Sequence, residues 1–168
     1  MFSADYERTK MNCEAHEAST LPAFGFAFNA TSPQLAFLFT PLLLPSVSPN
    51  PDSTVPVIHD TVSVGDGIRI QRAGIYQISY ILTISFDNAP TAPETGRFFL
   101  SLNTPNNIIP GSGSAVRSNV IGSGEVDVSS GLLLINLNPG DIIQIVPVEL
   151  LGSVDIRAAA LTVVQLGS

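Results

Sequence analysis

The chain has 168 residues, which is long enough for one domain with a sizeable buried core. Only 12% of the residues are charged, about half the usual share of roughly 25%, and the formal net charge is −7. The single lysine is Lys10, and the arginines further along the chain form no cluster. We therefore expect neither nucleic acid nor a membrane as a partner. So little charge favours a surface of Ser, Thr, Asn and small apolar residues, together with an oligomer that hides part of that surface.

The first 20 residues carry much of the charge and show no apolar periodicity, which predicts a flexible arm at 1–20 before one domain at 21–168. Asp5 and Glu7 stand where a signal peptide would need an apolar core, so we expect synthesis in the cytosol without such a signal. Cys13 is the only cysteine, which excludes a disulfide within the chain. It is either an ordinary free thiol or a candidate intermolecular thiol that the arm brings to a neighbouring subunit.

Strand patterns begin after the arm. Residues 21–29 predict a first strand with an aromatic face, formed by Phe24, Phe26 and Phe28. Residues 35–44 predict a short apolar strand. This run is about half the length needed to cross a bilayer, and a proline interrupts it. Shorter extended segments are predicted at 55–58, 60–64 and 68–71.

The longest alternation lies at Gly74–Phe86. One parity is wholly apolar and consists of Tyr76, Ile78, Tyr80, Leu82, Ile84 and Phe86. The other parity is polar apart from Ile75 and Ile81. Because a face this apolar needs a second layer to cover it, we predict a central strand with Tyr76 and Tyr80 in the core. On a lone chain Ile75 and Ile81 would be exposed, which indicates contact with another subunit.

The second half of the chain continues the pattern. Strands are predicted at 97–102, 115–121 and 142–151. Residues 125–138 predict two strand pieces around Gly131, and the second piece, LLLINL, is apolar enough to be buried on both faces. The last strand is predicted at 154–166 with one continuous face. That face consists of Val154, Ile156, Ala158, Ala160, Thr162, Val164 and Leu166.

No segment of helical length shows a 3.6-residue period, and 13 prolines and 13 glycines divide the chain into short pieces. Eight to ten strands at this spacing predict an all-β sandwich or barrel, and a two-sheet jelly roll fits the length.

Two local motifs resemble the tumour-necrosis-factor-like jelly roll. One is the strand start with Gly74 and Tyr76, and the other is the turn at Gly140 and Asp141 before an apolar strand. That group includes the trimeric globular heads that cap collagen stalks, so the resemblance implies a homotrimer. Three alanines and a leucine replace the aromatic-Gly-aromatic ending that is usual in the terminal strand, and small residues permit close approach. The candidate subunit contacts are Ile75, Ile81, Ala158 and Ala160.

A second resemblance covers nearly the whole chain. It rests on the runs LPAFGFAFNA, FTPLLLPSVSPNP, GDGIRI, NIIPGSGSAVRSNVIG and VPVELLGSVDIRAAALTV. These are similar to the exosporium basal-layer proteins of spore-forming bacilli, the BxpB/ExsF type. The resemblance implies a structural protein of sporulation, located at the spore surface. It also implies that the protein anchors the collagen-like glycoprotein filaments of the hairy nap by their N-terminal segments, in a complex with other basal-layer proteins.

The residues offer little for catalysis. His16 and Cys13 form a Cys-x-x-His fragment without the second pair that a metal site needs, and His59 is isolated. Glu125 and Asp127 share a strand parity, but a calcium site there would need further oxygen ligands from loops, and a solvated edge is the simpler interpretation. We therefore predict that the protein is not an enzyme and has no catalytic residue, cofactor or metal.

Our leading hypothesis is a homotrimeric platform for a collagen-like filament protein, because a three-chain stem is best seated on a three-fold base. An extended filament segment could add to a sheet edge in apolar grooves between subunits. The main alternative is a trimeric β-sandwich binding module for a small ligand or carbohydrate. It would need an exposed aromatic platform, and the chain has no tryptophan and three tyrosines.

Overall fold

The computed structural model describes residues 24–47, 57–60, 66–86, 93–118 and 125–167. The predicted arm and Cys13 lie outside these ranges. Within them, no helix is long and apolar enough to span a membrane. The described residues form the strands β1 (Phe24–Asn29), β2 (Gln34–Leu35), β3 (Ser46–Val47), β4 (Val57–Asp60), β5 (Gly67–Ile70), β6 (Gly74–Phe86), β7 (Glu94–Leu102), β8 (Ser114–Ser118), β9 (Glu125–Leu137), β10 (Ile142–Leu151) and β11 (Asp155–Gly167).

The strands form two antiparallel sheets. The first sheet has the order β3-β1-β11-β6-β9, and β2 also pairs with β11. The second sheet has the order β4-β5-β10-β7-β8. Several neighbours, such as β1 and β11 or β5 and β10, are distant in sequence, as in a jelly roll, and the predicted all-β two-sheet sandwich is confirmed.

The core lies between the sheets and is centred on β6. Its predicted apolar parity is buried in full, from Tyr76 at 0% exposure to Phe86 at 1%. The second sheet contributes the facing side chains, which include Phe98, Leu100, Ile143 and Ile145. Each large apolar side chain buried in this way stabilises the fold by ~1.5–3 kcal/mol. The prediction that Tyr76 and Tyr80 belong to the core is confirmed.

A buried polar network ties the two sheets together at Tyr80. Its phenol oxygen lies 3.1 Å from the carbonyl oxygen of Phe98, 3.0 Å from that of Ser112 and 2.7 Å from the hydroxyl oxygen of Ser114. The Ser114 hydroxyl in turn contacts the Ser129 hydroxyl on β9. Burial raises the pKa of Tyr80, and the hydrogen bonds with Ser114 oppose that rise. The phenol is thus a neutral link between sheets.

The last strand does not keep one face along its length, so that prediction is wrong. The register between β11 and β6 shifts between Ile156 and Ala158, which marks a β-bulge. A bulge adds one residue and exchanges the faces of everything after it. Val154 and Ile156 are buried before the bulge, whereas the buried residues after it are Ala159, Leu161, Val163 and Gln165.

The prediction for residues 125–138 is also wrong. The segment forms one strand, β9, rather than two pieces, and its leucines are not buried on both faces. Leu132 is 61% exposed and Leu134 is 60% exposed. Gly131 lies opposite Tyr80, and a Cβ atom there would come within 2.5 Å of the tyrosine ring. Glycine therefore lets β9 continue past the ring without a break.

Residues 35–44 form only the end of a short strand, since β2 ends at Leu35. The chain then bonds laterally to β10 and to the residue before β11. The amide of Ala36 donates to the carbonyl of Val154 and that of Leu42 to the carbonyl of Ile145, both at 2.9 Å. Phe39 has a positive φ of 53°, which an extended strand does not allow. The apolar run is therefore a hydrogen-bonded loop.

Candidate subunit interface

The outward-pointing side chains of β1, β11, β6 and β9 form a continuous surface, which we call the outer face. Strand pairing aligns these side chains in rows across the sheet. One row consists of Phe26, Thr162, Ser79 and Leu132, and the next consists of Phe28, Ala160, Ile81 and Ser130. Neighbouring side chains in such a row lie about 4.5–5.5 Å apart at Cβ, so they make one surface rather than scattered contacts.

Much of the outer face is apolar and exposed. Its large exposed side chains are Phe24 (40%), Phe26 (36%), Ile75 (47%), Ile81 (52%), Val126 (59%), Val128 (55%), Leu132 (61%) and Leu134 (60%). The rings of Phe26 and Phe28 stack with their centroids 5.3 Å apart. Together these side chains expose roughly 600–800 Å² of apolar surface, whereas the largest patch on a typical monomer is about 300–600 Å².

The electrostatics of the outer face favour burial. None of the outward positions of β1, β6 and β9 carries an ionisable residue; the polar ones are Gln77, Ser79, Thr83, Ser85, Ser130 and Asn136. The charged residues nearest to it, Asp155 and Arg157, lie at one end, on the bulged part of β11. Covering this surface would therefore remove no charge from water along most of its length, and the desolvation cost would be small.

The structure brings the four predicted contact residues together on the outer face. Ile75 and Ile81 are both exposed and belong to β6. Ala160 lies directly opposite Ile81, and Ala158 lies opposite Thr83. The two alanines are half-buried. That these residues contact another subunit stays a prediction. Cys13 lies outside the described residues.

Sequence reasoning missed the contribution of β9. Its outward residues Val126, Val128, Leu132 and Leu134 are as exposed as the two isoleucines of β6. The signal was present, because apolar residues at 126, 128, 132 and 134 share one parity. It was masked by Leu133 and Ile135, which are also apolar and point inward.

The described residues offer no centre for metal-dependent chemistry built from three or more Asp, Glu, His or Cys side chains. His59 lies in β4. The carboxylate of Asp127 accepts a hydrogen bond from the amide of Val128 at 2.7 Å, and Glu125 accepts one from the Ser118 hydroxyl at 2.6 Å. These two acidic residues thus have hydrogen-bond partners within the fold.

A pocket of about 220 Å³ lies on the second sheet. It is lined by Arg97, Phe99, Gly111, Gly113, Ser114 and Ala115. The Arg97 guanidinium is already engaged, since it pairs with Glu149 at 3.1 Å and lies 5.6 Å from the centre of the Phe99 ring. Ligand pockets usually hold about 300–1,000 Å³, so this one gives little support to a small-ligand module.

Comparison with solved structures shows the fold. Eiger TNF from S. frugiperda matches with a TM-score of 0.65 at 11% sequence identity, over 88% of this chain and 94% of that one. Pika GITRL matches with a TM-score of 0.47 at 16% identity, over 88% and 97% of the two chains. The globular domain of zebrafish complement 1qA matches with a TM-score of 0.47 at 13% identity, over 86% and 96%.

No protein-family model and no curated protein matches the sequence. The resemblance to exosporium basal-layer proteins therefore stays a prediction from the sequence runs. The two-sheet strand order and the likeness to Eiger TNF agree with the other resemblance, and the chain has a tumour-necrosis-factor-like jelly-roll fold.

Proposed function

We propose that this protein is a structural module that assembles with copies of itself by covering the outer face. One observation carries the proposal: a broad apolar surface without ionisable side chains on β1, β6 and β9 lies open on the single chain. Its area is close to the ~800 Å² that each partner buries in a stable interface. On a protein that stays monomeric, an exposed apolar surface of this size would lower the solubility.

The proposed assembly is a homotrimer. In a closed ring of three, each subunit offers two different surfaces, so the outer face of one copy meets an edge of the next rather than the same face. The sequence motifs at Gly74 and Gly140 support this number, because they resemble a group that includes trimeric collagen-capping heads. Small side chains at Ala158 and Ala160 would allow a neighbour to approach the sheet closely.

The finer proposal is a role in the basal layer of the spore exosporium. It is supported by the sequence runs that resemble basal-layer proteins, and it makes the trimer a platform for collagen-like glycoprotein filaments held by their N-terminal segments. In this proposal the protein is not an enzyme, and it stands at the spore surface among other basal-layer proteins.

Sedimentation velocity combined with light scattering tests the assembly. We expect a mass near three times 17.7 kDa at micromolar concentration. A protein that stays monomeric up to high micromolar concentration would overturn the platform.

The filament proposal needs its own test. Purified trimer is titrated with synthetic N-terminal segments of the collagen-like glycoprotein, and a segment of shuffled sequence serves as the control. Saturable binding of the native segment alone supports anchoring, whereas equal or absent binding of both contradicts it.

Non-reducing electrophoresis of the wild type and of Cys13→Ser shows whether the arm thiol crosslinks copies.

A further inference from the structure

The loop at residues 35–44, which we call the apolar loop, runs from β2 in the first sheet to β10 in the second. Its large exposed side chains are Leu35, Phe37, Leu38, Phe39 and Leu43. Their exposure ranges from 42% at Phe39 to 61% at Phe37. Within the described ranges, Leu151 is the one other large exposed apolar side chain outside the strands of the outer face. The apolar loop is therefore a second apolar surface of the subunit.

Hydrogen bonds hold the apolar loop in one conformation. The Gln34 side chain fixes its far end, since Nε2 donates to the carbonyl of Leu43 at 3.0 Å and Oε1 accepts from the amide of Leu43 at 2.8 Å. In the middle of the loop, the amide of Phe39 donates to the carbonyl of Pro147 at 2.8 Å. A loop that is ordered before it binds loses little conformational entropy on binding, so its exposed side chains are suited to act as anchors.

The core of the single chain uses other side chains of the loop. Ala36, Leu42 and Leu44 are buried and belong to the hydrophobic core. Phe39 has a φ of 53°, a left-handed conformation that is unfavourable for a residue other than glycine, and yet it stays largely exposed. Backbone strain that brings no burial within the subunit points to a contact outside it.

The charge pattern favours a second copy as the partner. The sequence has no ionisable residue from Leu21 to Pro51, and the outward positions of β1, β6 and β9 have none either. Contact between the loop and the outer face therefore removes no charge from water along most of its area. A strongly charged partner, in contrast, would find no opposite charge on the loop.

The symmetry of a trimer also requires a second surface. Each subunit of a closed ring makes two contacts through two different surfaces, and a stable contact buries about 800 Å² per partner. The outer face is one of these surfaces. The large side chains of the apolar loop expose roughly 400–500 Å² of apolar surface. Because about 56–65% of an interface is apolar, this area corresponds to a contact of ~700–800 Å² in total.

We propose that the apolar loop of each copy packs on the outer face of the next copy and so closes the ring. This contact, which rests on the trimer proposed above, identifies the edge that meets the outer face. The loop would lie on the rows around Ile81. Phe37 is the expected anchor, because it is the most exposed of the loop side chains and aromatic residues are enriched in interfaces.

A charge at position 37 tests the contact. Phe37→Asp should stay folded, because the side chain is 61% exposed, but each trimer would bury three unpaired carboxylates. Its association constant should fall about 10⁴-fold or more below that of the wild type. Phe37→Leu is the matched control and should stay trimeric, since it keeps an apolar side chain. Sedimentation velocity gives the association constants, and far-UV circular dichroism shows whether the fold is kept.

Cysteine pairing tests which surfaces meet. Leu38→Cys and Ile81→Cys are each made in a Cys13→Ser background, and the two proteins are mixed, left to exchange subunits and oxidised by air. Only the mixture should give disulfide-linked dimers on non-reducing electrophoresis, because the loop meets the outer face and not another loop. Crosslinking of Leu38→Cys alone would show that two loops meet, which overturns the proposed contact.

The contact and the trimer can fail separately. If the wild type and Phe37→Asp are both trimeric, or if the mixture gives no crosslink, the contact is overturned while the trimer stands. A monomeric wild type overturns the trimer and the contact together. If Phe37→Asp does not fold, Leu38→Asp replaces it, since Leu38 is also exposed.

Discussion

Replacement of Ile81 by aspartate separates association from folding. Ile81 lies on β6 near the middle of the outer face, with Ala160 on one side and Ser130 on the other. It is 52% exposed, so folding of the single chain has already buried about half of its side chain. The proposed trimer would bury the remainder. The variant should therefore weaken the trimer far more than it weakens the folded subunit.

The two effects differ widely in size. Complete burial of an isoleucine stabilises a fold by ~1.5–3 kcal/mol, so loss of the half of Ile81 that is buried in the single subunit lowers its free energy of unfolding by ~1 kcal/mol. The poor strand propensity of aspartate lowers it by up to ~1 kcal/mol more. A loss of ~2 kcal/mol lowers the Tm of the subunit by ~4–8 °C. In the trimer, each copy would bury an unpaired charge at ~3–5 kcal/mol. Three copies lose ~10 kcal/mol, which lowers the association constant about 10⁷-fold.

Sedimentation velocity over a concentration series gives the association constant, and thermal unfolding gives the Tm. Leu151→Asp is the matched control: Leu151 is 54% exposed but belongs to the opposite side of the sandwich, where its strand pairs with β7. The control should stay trimeric. If Ile81→Asp assembles like the wild type, the interface lies elsewhere. A second test uses Ile81→Cys in a Cys13→Ser background. If this thiol reacts with a thiol reagent equally fast in the monomer and in the trimer, the interface also lies elsewhere.

Two further predictions concern the link between the sheets. Gly131→Ala should lower the free energy of unfolding by ~1–3 kcal/mol, because its Cβ would lie 2.5 Å from the Tyr80 ring and 2.9 Å from the carbonyl oxygen of Ser112. Urea denaturation measures this, and Gly167→Ala, which meets no atom within 4 Å, should be near neutral. Because burial raises the pKa of Tyr80 above its ordinary value of about 10, its contribution to stability is complete below that pH and is lost as the pH rises through the raised value. The urea midpoint should fall more steeply above pH 10 in the wild type than in Tyr80→Phe, and equal slopes would contradict the assignment.

Which side chains of β6 point inward and which point outward could be predicted, because the alternation of apolar and polar residues lies within the strand itself. Alternation alone placed Tyr76 and Tyr80 inside and Ile75 and Ile81 outside, as the structure has them. The same reasoning failed on β11, because a bulge depends on the neighbouring strand and not on local composition. Alternation before and after Arg157 gave no sign that the faces exchange there.

Position within the sheet was the other unpredictable quantity. LLLINL has the composition of a doubly buried strand, but β9 lies at the edge of its sheet and only one of its faces meets the core. Residues 35–44 are equally apolar, yet their amides find carbonyl partners on β10 and at Val154, just before β11. Both errors have one physical cause: apolar composition measures how much surface must be covered, and it does not say whether the same chain or another one covers it.

That cause also explains the low charge of the chain. A protein with only 12% charged residues has few with which to solvate its surface, and none of them stands at an outward position of β1, β6 or β9. If these strands faced water permanently, one charge on each would improve solubility at little cost, because exposed positions of a sheet tolerate charge well. Their uncharged state is understandable if the outer face is covered, since each charge would then cost several kcal/mol in every copy. The sequence composition and the exposed face on β6 and β9 are thus two consequences of the same proposed assembly, and the Ile81→Asp variant tests both.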